Sequence, residues 1–171
     1  MPPFPSTPDP WELWVRGTWL SDFVLTYGWL WPLGETLHYL GLSMLLGTVG
    51  LFDLRVLGVA KAIPVAALHR LIPFGVAGFA VNMLTGITFF SGFPEQYAYN
   101  IAFWWKGAFL ALAGLNVLLF YSAAFKSVRQ LGPGEDASLP AKLMAGTSLF
   151  AWIMVLICGR LLTFNRPPFF H

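Results

Sequence analysis

Four long apolar stretches, joined by short polar links, constrain this chain more than any other feature. A membrane-crossing helix needs about 20 mostly apolar residues. The stretches run from Pro32 to Phe52, closing at Asp53 and Arg55; from Leu71 to Phe90, stopped by Ser91-Gly92-Phe93-Pro94; from Ile101 to Tyr121; and from Leu143 to Phe164, ended by Asn165, Arg166 and two prolines. Only 11% of the 171 residues are charged and 57% are hydrophobic, where soluble domains carry about 25% charged. A water-soluble globule and a disordered chain are both excluded. The net charge of +2 is small and scattered, which excludes a nucleic-acid binder. A single cysteine, Cys158, excludes a disulfide framework and a CxxC site. The expected fold is all-α: an integral membrane four-helix bundle over 31–166, with an N-terminal segment 1–30 and a short tail 167–171.

Pro32 suits a first helical turn, and Pro73 either starts the second span or kinks a longer helix beginning near Pro64. Lysine and arginine set orientation. The first link carries Arg55, Lys61 and Arg70, the third carries Lys126, Arg129 and Lys142, and the second, Ser91 to Asn100, carries neither residue type. This places links one and three in the cytoplasm and both termini in the periplasm of a bacterial inner membrane. The first 30 residues lack a basic start before an apolar core and a small-residue cleavage site, so they do not read as a signal peptide. Asp9-Pro10 reads as a helix start. Trp11, Trp14, Val15 and Trp19 then recur at helical spacing with Glu12, Arg16 and Asp22 between. The pattern predicts an amphipathic helix in the outer interface, with a plain tryptophan belt as the alternative. Gly132-Pro133-Gly134-Glu135-Asp136 is a turn and not a phosphate loop, and no internal repeat is visible.

Ionisable groups at membrane depth are costly and demand a reason. Glu35 and His38 in span one, Lys106 in span three and Arg160 in span four all fall in the expected outer leaflet, and Glu35 and His38 share a helix face. Each has an ordinary explanation. Lys106, beside Trp104 and Trp105, and Arg160 can snorkel to the headgroups; His38 can bond across helices; and Glu35 can be interfacial. Together, a histidine and two cations at one level fit an anionic cofactor with an apolar body. Heme b suits this: His38 binds iron, while Lys106 and Arg160 neutralise the propionates. Gly41, one turn after His38, would let a flat ring approach the backbone. His69 lies at the cytoplasmic end, about 20 Å away in depth, and with Arg70 reads as a surface pair. Met83 and Met154 match the depth of His38 and are candidate second ligands, against their commoner use as core filler. His171 is terminal.

The same donors support a rival. His38, Met44, Met83, Met154 and Cys158 suit Cu(I), although Met44 lies off the His38 face. Asn82, Thr85, Thr88 and Asn116 read as interhelical hydrogen bonders, worth about 0.6–2 kcal/mol each. Ser43 with Gly47, Gly75 with Gly78, and Gly107 with Gly114 read as small surfaces for close helix contact. No Ser-His-Asp set, carboxylate pair or zinc signature is present, so a hydrolase is not expected.

The run Glu35-Thr36-Leu37-His38-Tyr39-Leu40-Gly41, Gly47 and Phe52-Asp53-Leu54-Arg55-Val56-Leu57-Gly58 resembles an uncharacterised family of four-helix bacterial membrane proteins. Gly78-Phe79, Thr85-Gly86, Asn100-Ile101-Ala102-Phe103 with Lys106, and Ala113-Gly114-Leu115-Asn116 extend the likeness over roughly 30–165. It implies a fold and no activity. A fainter similarity reaches the HemJ-type protoporphyrinogen oxidases and the CopD copper-resistance membrane domain, through the order His38, Arg55, Trp105-Lys106. The HemJ likeness implies heme binding. Where that family has a second histidine late in the lysine-bearing helix, this chain has Asn116 or its neighbours, which speaks against oxidase chemistry and bis-histidine ligation. The leading expectation is a heme b protein that passes electrons to a periplasmic partner or anchors one. The alternatives are a cofactor-free accessory subunit, docked on other membrane subunits or its own copies, and a copper-handling protein.

Overall fold

A computed structural model describes residues 8–164; Asn165, Arg166 and His171 lie outside them. The described residues form helices and no strands. Two short helices, α1 (Pro10–Arg16) and α2 (Trp19–Thr26), precede α3 (Leu30–Leu57). A short α4 (Val65–His69) leads into α5 (Ile72–Gly92), and α6 (Pro94–Ala98) connects to α7 (Ile101–Leu119). A π turn over Phe120–Ala124 and α8 (Phe125–Val128) prolong α7, and α9 (Leu139–Phe164) follows. Four segments are long and apolar enough to cross a membrane: Leu30–Leu57, Val65–Gly92, Ile101–Val128 and Leu139–Phe164.

The spans outrun the apolar stretches, chiefly at the end rich in lysine and arginine. At 1.5 Å per residue, α3 is about 42 Å long, and it continues through Asp53 and Arg55 instead of closing there. The reason is local. Arg55, 1% exposed, sends Nε to the Ile63 carbonyl at 2.6 Å, Nη2 to Gly132 at 2.9 Å and Nη1 to Glu135 at 3.3 Å. One guanidinium therefore ties both links of this basic end to the helix. Gly58, at φ 107°, then caps α3 in the left-handed region, where glycine has no Cβ penalty. Asp136 receives Lys142 at 2.8 Å and Lys61 at 3.1 Å, and these ammonium groups hold its carboxyl below the usual range. Pro73 lies in the first turn of α5, while Pro64 opens α4, so both expected proline roles occur, separated by the turn at Arg70 and Leu71.

Helix pairing is uneven. α3 packs chiefly on α5 and α7 on α9, and a narrower seam joins α3 to α9. The spatial order is thus α5, α3, α9, α7, and α5 and α7 are not a packed pair. Glycine explains the first contact. A Cβ on Gly78 would lie 2.5 Å from the Gly41 carbonyl oxygen, and one on Gly41 would lie 2.7 Å from that of Gly78. Gly75 meets Thr48 and Gly34 meets Phe89 in the same way. Gly47, Gly107 and Gly114 differ from expectation, because a Cβ there would find no atom within 4 Å. Alanines make the second contact: Ala113 and Ala151 are buried with Trp152 and Val155, and Asn116 donates to the Met144 carbonyl at 3.0 Å.

The N-terminal stretch is two helices broken at Gly17, with Thr18 accepting from the Ser21 amide. They cover the tryptophan-rich end of the bundle. Arg16 bonds Glu95 at 2.7 Å, and the Tyr99 hydroxyl donates to Asp9 at 2.7 Å. The Glu12 and Asp9 carboxyls beside Tyr99 push its phenol above the ordinary range. Glu12 is buried, while Trp14 and Trp19 are 72% and 76% exposed. The indoles face away from the bundle and the carboxylate faces into it.

Candidate functional site

Two places merit attention: the level of His38 and the gap between α5 and α7. At the first, His38 reaches across to α5, with Nδ1 2.7 Å from the Thr85 hydroxyl and its ring against Phe89. The Thr85 hydroxyl also lies 2.8 Å from the Val81 carbonyl, to which it can donate. Among the described residues His38 Nε2 has no hydrogen-bond partner. Lys106 of α7 is the charged group whose field reaches His38, and its ammonium lies against Cys158 and Gly159 of α9. No carboxylate pairs with it among the described residues.

None of the other candidate cofactor or metal residues hydrogen-bonds to His38 among the described residues. Glu35 is exposed and accepts from Trp31 Nε1 at 3.2 Å. Arg160 is exposed and lies over the Phe164 ring at 5.0 Å. The close approach that Gly41 permits is taken by α5, through Gly78 and Asn82. Met83 is 49% exposed on the outer surface of α5, and Met154 is half-buried on α9. Among the described residues no three His, Cys, Asp or Glu side chains group to hold a metal ion.

The second place is a cavity of about 500 Å³ where α5 and α7 stand apart. Such a volume falls within the range of small-molecule sites, about 300–1,000 Å³. Its walls are apolar: Leu45, Val49 and Phe52 of α3, Phe79 of α5, Leu110 and Val117 of α7, and Trp152 of α9. Its rim residues Val76, Gly114 and Val117 are exposed, so the mouth faces sideways. Both ends of the gap are closed. At the tryptophan-rich end Phe90 and Phe103 stack at 5.8 Å. At the basic end His69 Nε2 meets the Tyr121 hydroxyl at 3.1 Å. His69 is thus no simple surface partner of Arg70. The turn after α4 sets it among Phe52, Tyr121 and Phe125.

The polar groups of the lining are the buried Asp53, Asn116 and Ser148, the exposed Tyr121, and the indole N–H of Trp152, which has no hydrogen-bond partner among the described residues. Asp53 is 5% exposed, has Ser148 as its polar neighbour, and its Oδ2 lacks any hydrogen-bond partner among the described residues. Asp53 was legible only as a span terminator. The signal for more was its place two residues before Arg55, inside the helical run. Asn116 and Thr85 were legible as interhelical hydrogen bonders, which they are, but not as site residues. No protein-family model, curated protein or solved structure matches the chain.

Proposed function

We propose that this chain is a multi-pass membrane protein that takes an amphiphilic molecule sideways from the bilayer into the cavity between α5 and α7. In this reading the basic end faces the cytoplasm of a bacterial inner membrane and the tryptophan-rich end the periplasm. The observation that carries it is the unpacked α5–α7 side, with closed ends, exposed rim residues and a buried polar floor. A gap that only reflected loose packing would not leave a buried carboxyl oxygen of Asp53 and the indole N–H of Trp152 unmatched on its lining, because buried polar groups without partners are destabilising.

Gly114 supplies the test. It stands on the cavity wall with no atom within 4 Å of an added Cβ, so Gly114→Phe adds a ring beside the cavity at a position where the backbone leaves room for a side chain. Native mass spectrometry of the protein from lipid nanodiscs, with decylphenol as probe, is expected to show a bound adduct in the wild type and its loss in Gly114→Phe. An adduct retained by a folded Gly114→Phe sinks the reading.

A second reading has one specific observation behind it: heme b with His38 as axial ligand. A ligating histidine characteristically holds its other ring nitrogen in a hydrogen bond, and His38 Nδ1 lies 2.7 Å from the Thr85 hydroxyl. Lys106 is the cation placed to offset a propionate. Arg160 and Met83 are exposed and Gly41 is covered by α5, so this reading rests chiefly on His38 and Lys106. A Soret band with a positive pyridine-hemochrome assay, lost in His38→Ala, supports this reading; a featureless visible spectrum of protein purified from heme-replete cells rejects it.

A further inference from the structure

Resting on the cavity reading, we infer that the occupant is an anionic phospholipid, its phosphate held by Arg70, Lys126 and Arg129 and one acyl chain passed through the side mouth between α5 and α7. The division of charge at the basic end carries this. Its cations are Arg55, Lys61, Arg70, Lys126, Arg129 and Lys142. Arg55 is engaged by three carbonyls, and Lys61 and Lys142 by Asp136. Arg70, Lys126 and Arg129 are exposed, and among the described residues none of them bonds a carboxylate. The other acidic groups of this end are not free to serve them. Asp53 is buried, and Glu135 accepts from the Gly132 amide at 2.7 Å.

The three unpaired cations lie at the end of the gap that His69 and Tyr121 close. Arg70 follows His69 in the turn between α4 and α5. His69 packs on Tyr121 and Phe125, and Arg129, one helical turn after Phe125, is the charged group whose field reaches His69. Lys126 neighbours Arg129 at a spacing of three. Orientation in a membrane asks only for lysine and arginine in the links; it does not require the unpaired ones to gather beside one gap. Basic residues between spans on the cytoplasmic side bind anionic headgroups. Depth agrees. Arg70 to Val76 and Lys126 to Val117, both rim residues of the cavity, are about 9 and 14 Å along the helices. A chain crossing one leaflet spans about 15 Å, half the hydrocarbon core, so a headgroup on the cations brings its chain level with the mouth. Beyond it Leu45, Val49 and Phe79 offer hydrocarbon walls. A zwitterionic lipid would set its own cation against these three, and free phosphate has no apolar part for the walls.

The experiment places the protein in nanodiscs of equal phosphatidylglycerol and phosphatidylcholine with matched chains, and native mass spectrometry reads the lipid retained. Both leaflets then have one composition, so orientation does not enter. Each basic residue near an anionic headgroup contributes about fivefold, so wild type should favour phosphatidylglycerol about 100-fold. Arg70→Gln with Arg129→Gln should leave about fivefold. Lys61→Gln with Lys142→Gln removes as many charges from the cations that Asp136 holds and should keep the wild-type preference. Equal retention of the two lipids by wild type, or equal losses in the two double variants, overturns the headgroup assignment. Gly114→Phe should lose phosphatidylglycerol together with decylphenol. Phosphatidylglycerol kept while decylphenol is displaced overturns the path of the chain and leaves the cavity reading standing; both kept overturns the cavity reading. In wild type alone, a diazirine at the chain terminus of phosphatidylglycerol must label cavity-lining residues of α5 or α7, and labelling confined to other residues overturns the inference.

Discussion

Replacing Gly78 by valine tests the account of how α3 and α5 pack. The first atom a Cβ meets there is a backbone oxygen, that of Gly41 at 2.5 Å, followed by the Leu45 nitrogen and Met44 Cβ, both at 3.0 Å. Ordinary contact begins at about 3.4 Å, so the helices must separate by roughly 0.9 Å, and no side-chain rotation relieves the clash. Overpacking costs about 1–3 kcal/mol. A backbone obstacle belongs near the upper end, and valine returns only a few tenths through its better helix propensity. The net loss is about 2 kcal/mol, or about 4–8 °C in unfolding midpoint for a chain of this length. Cys158 provides the assay, since it is the single cysteine and is 4% exposed; a thiol-reactive dye reports its exposure on heating in detergent. Gly86→Ala is the control, with open space at its Cβ, and should gain about 1 kcal/mol from propensity alone. Equal shifts in the two variants, or a stabilised Gly78→Val, would refute the close-contact argument.

Arg55→Ala leaves the Ile63 and Glu135 carbonyls without a donor, while Gly132 keeps the Glu135 amide, and should cost at least about 2 kcal/mol. Arg55→Lys should recover little of this, because an ammonium cannot reproduce the planar fork, while the exposed Arg129→Ala should stay within about 0.5 kcal/mol. The same thermal assay reads all three. Asp136, held below its ordinary value by Lys142 and Lys61, stabilises the basic-end links above the unfolded carboxylate pKa of about 3.9. That contribution is lost as pH falls below this value through the folded pKa. The protection of amides over residues 131–138, after correction for the intrinsic pH dependence of exchange, should fall on acidification through that window, and Asp136→Asn should abolish the change. Reporter insertion near Gly134 should read cytoplasmic and fusion after His171 periplasmic; the reverse pattern would invert the proposed orientation.

The four spans were legible because a bilayer imposes one requirement, a long apolar run, that needs no tertiary information. Their ends at the basic side were not. Asp53 and Arg55 look like membrane boundaries in sequence, yet whether a charge ends a helix depends on what satisfies it. For Arg55 the acceptors come from residues 8 and about 80 positions away. Glycine pairs were legible as small surfaces but not as contacts: Gly75 and Gly78 meet α3, whereas Gly107 and Gly114 face open space. Depth alone placed His38 and Lys106 at one level. Azimuth, which depth does not encode, left Arg160 and Met83 facing elsewhere. The cavity was illegible for the same reason, since it arises from a spatial order of helices that no local pattern specifies.

That order has a consequence for how the molecule is made. The contacts of α3 with α5, and of α7 with α9, each join consecutive spans across one short connection, so their loop-closure cost is small. The seam between α3 and α9 alone brings the first span to the last. Two helical hairpins can therefore form early and meet late, and the cavity, walled by both, does not exist until they meet. A ligand that occupies it binds the joined state and not the separate hairpins. It would add RT ln(1 + [L]/Kd) to the stability of their union, so under the proposed function assembly of the bundle and ligand binding form one linked equilibrium.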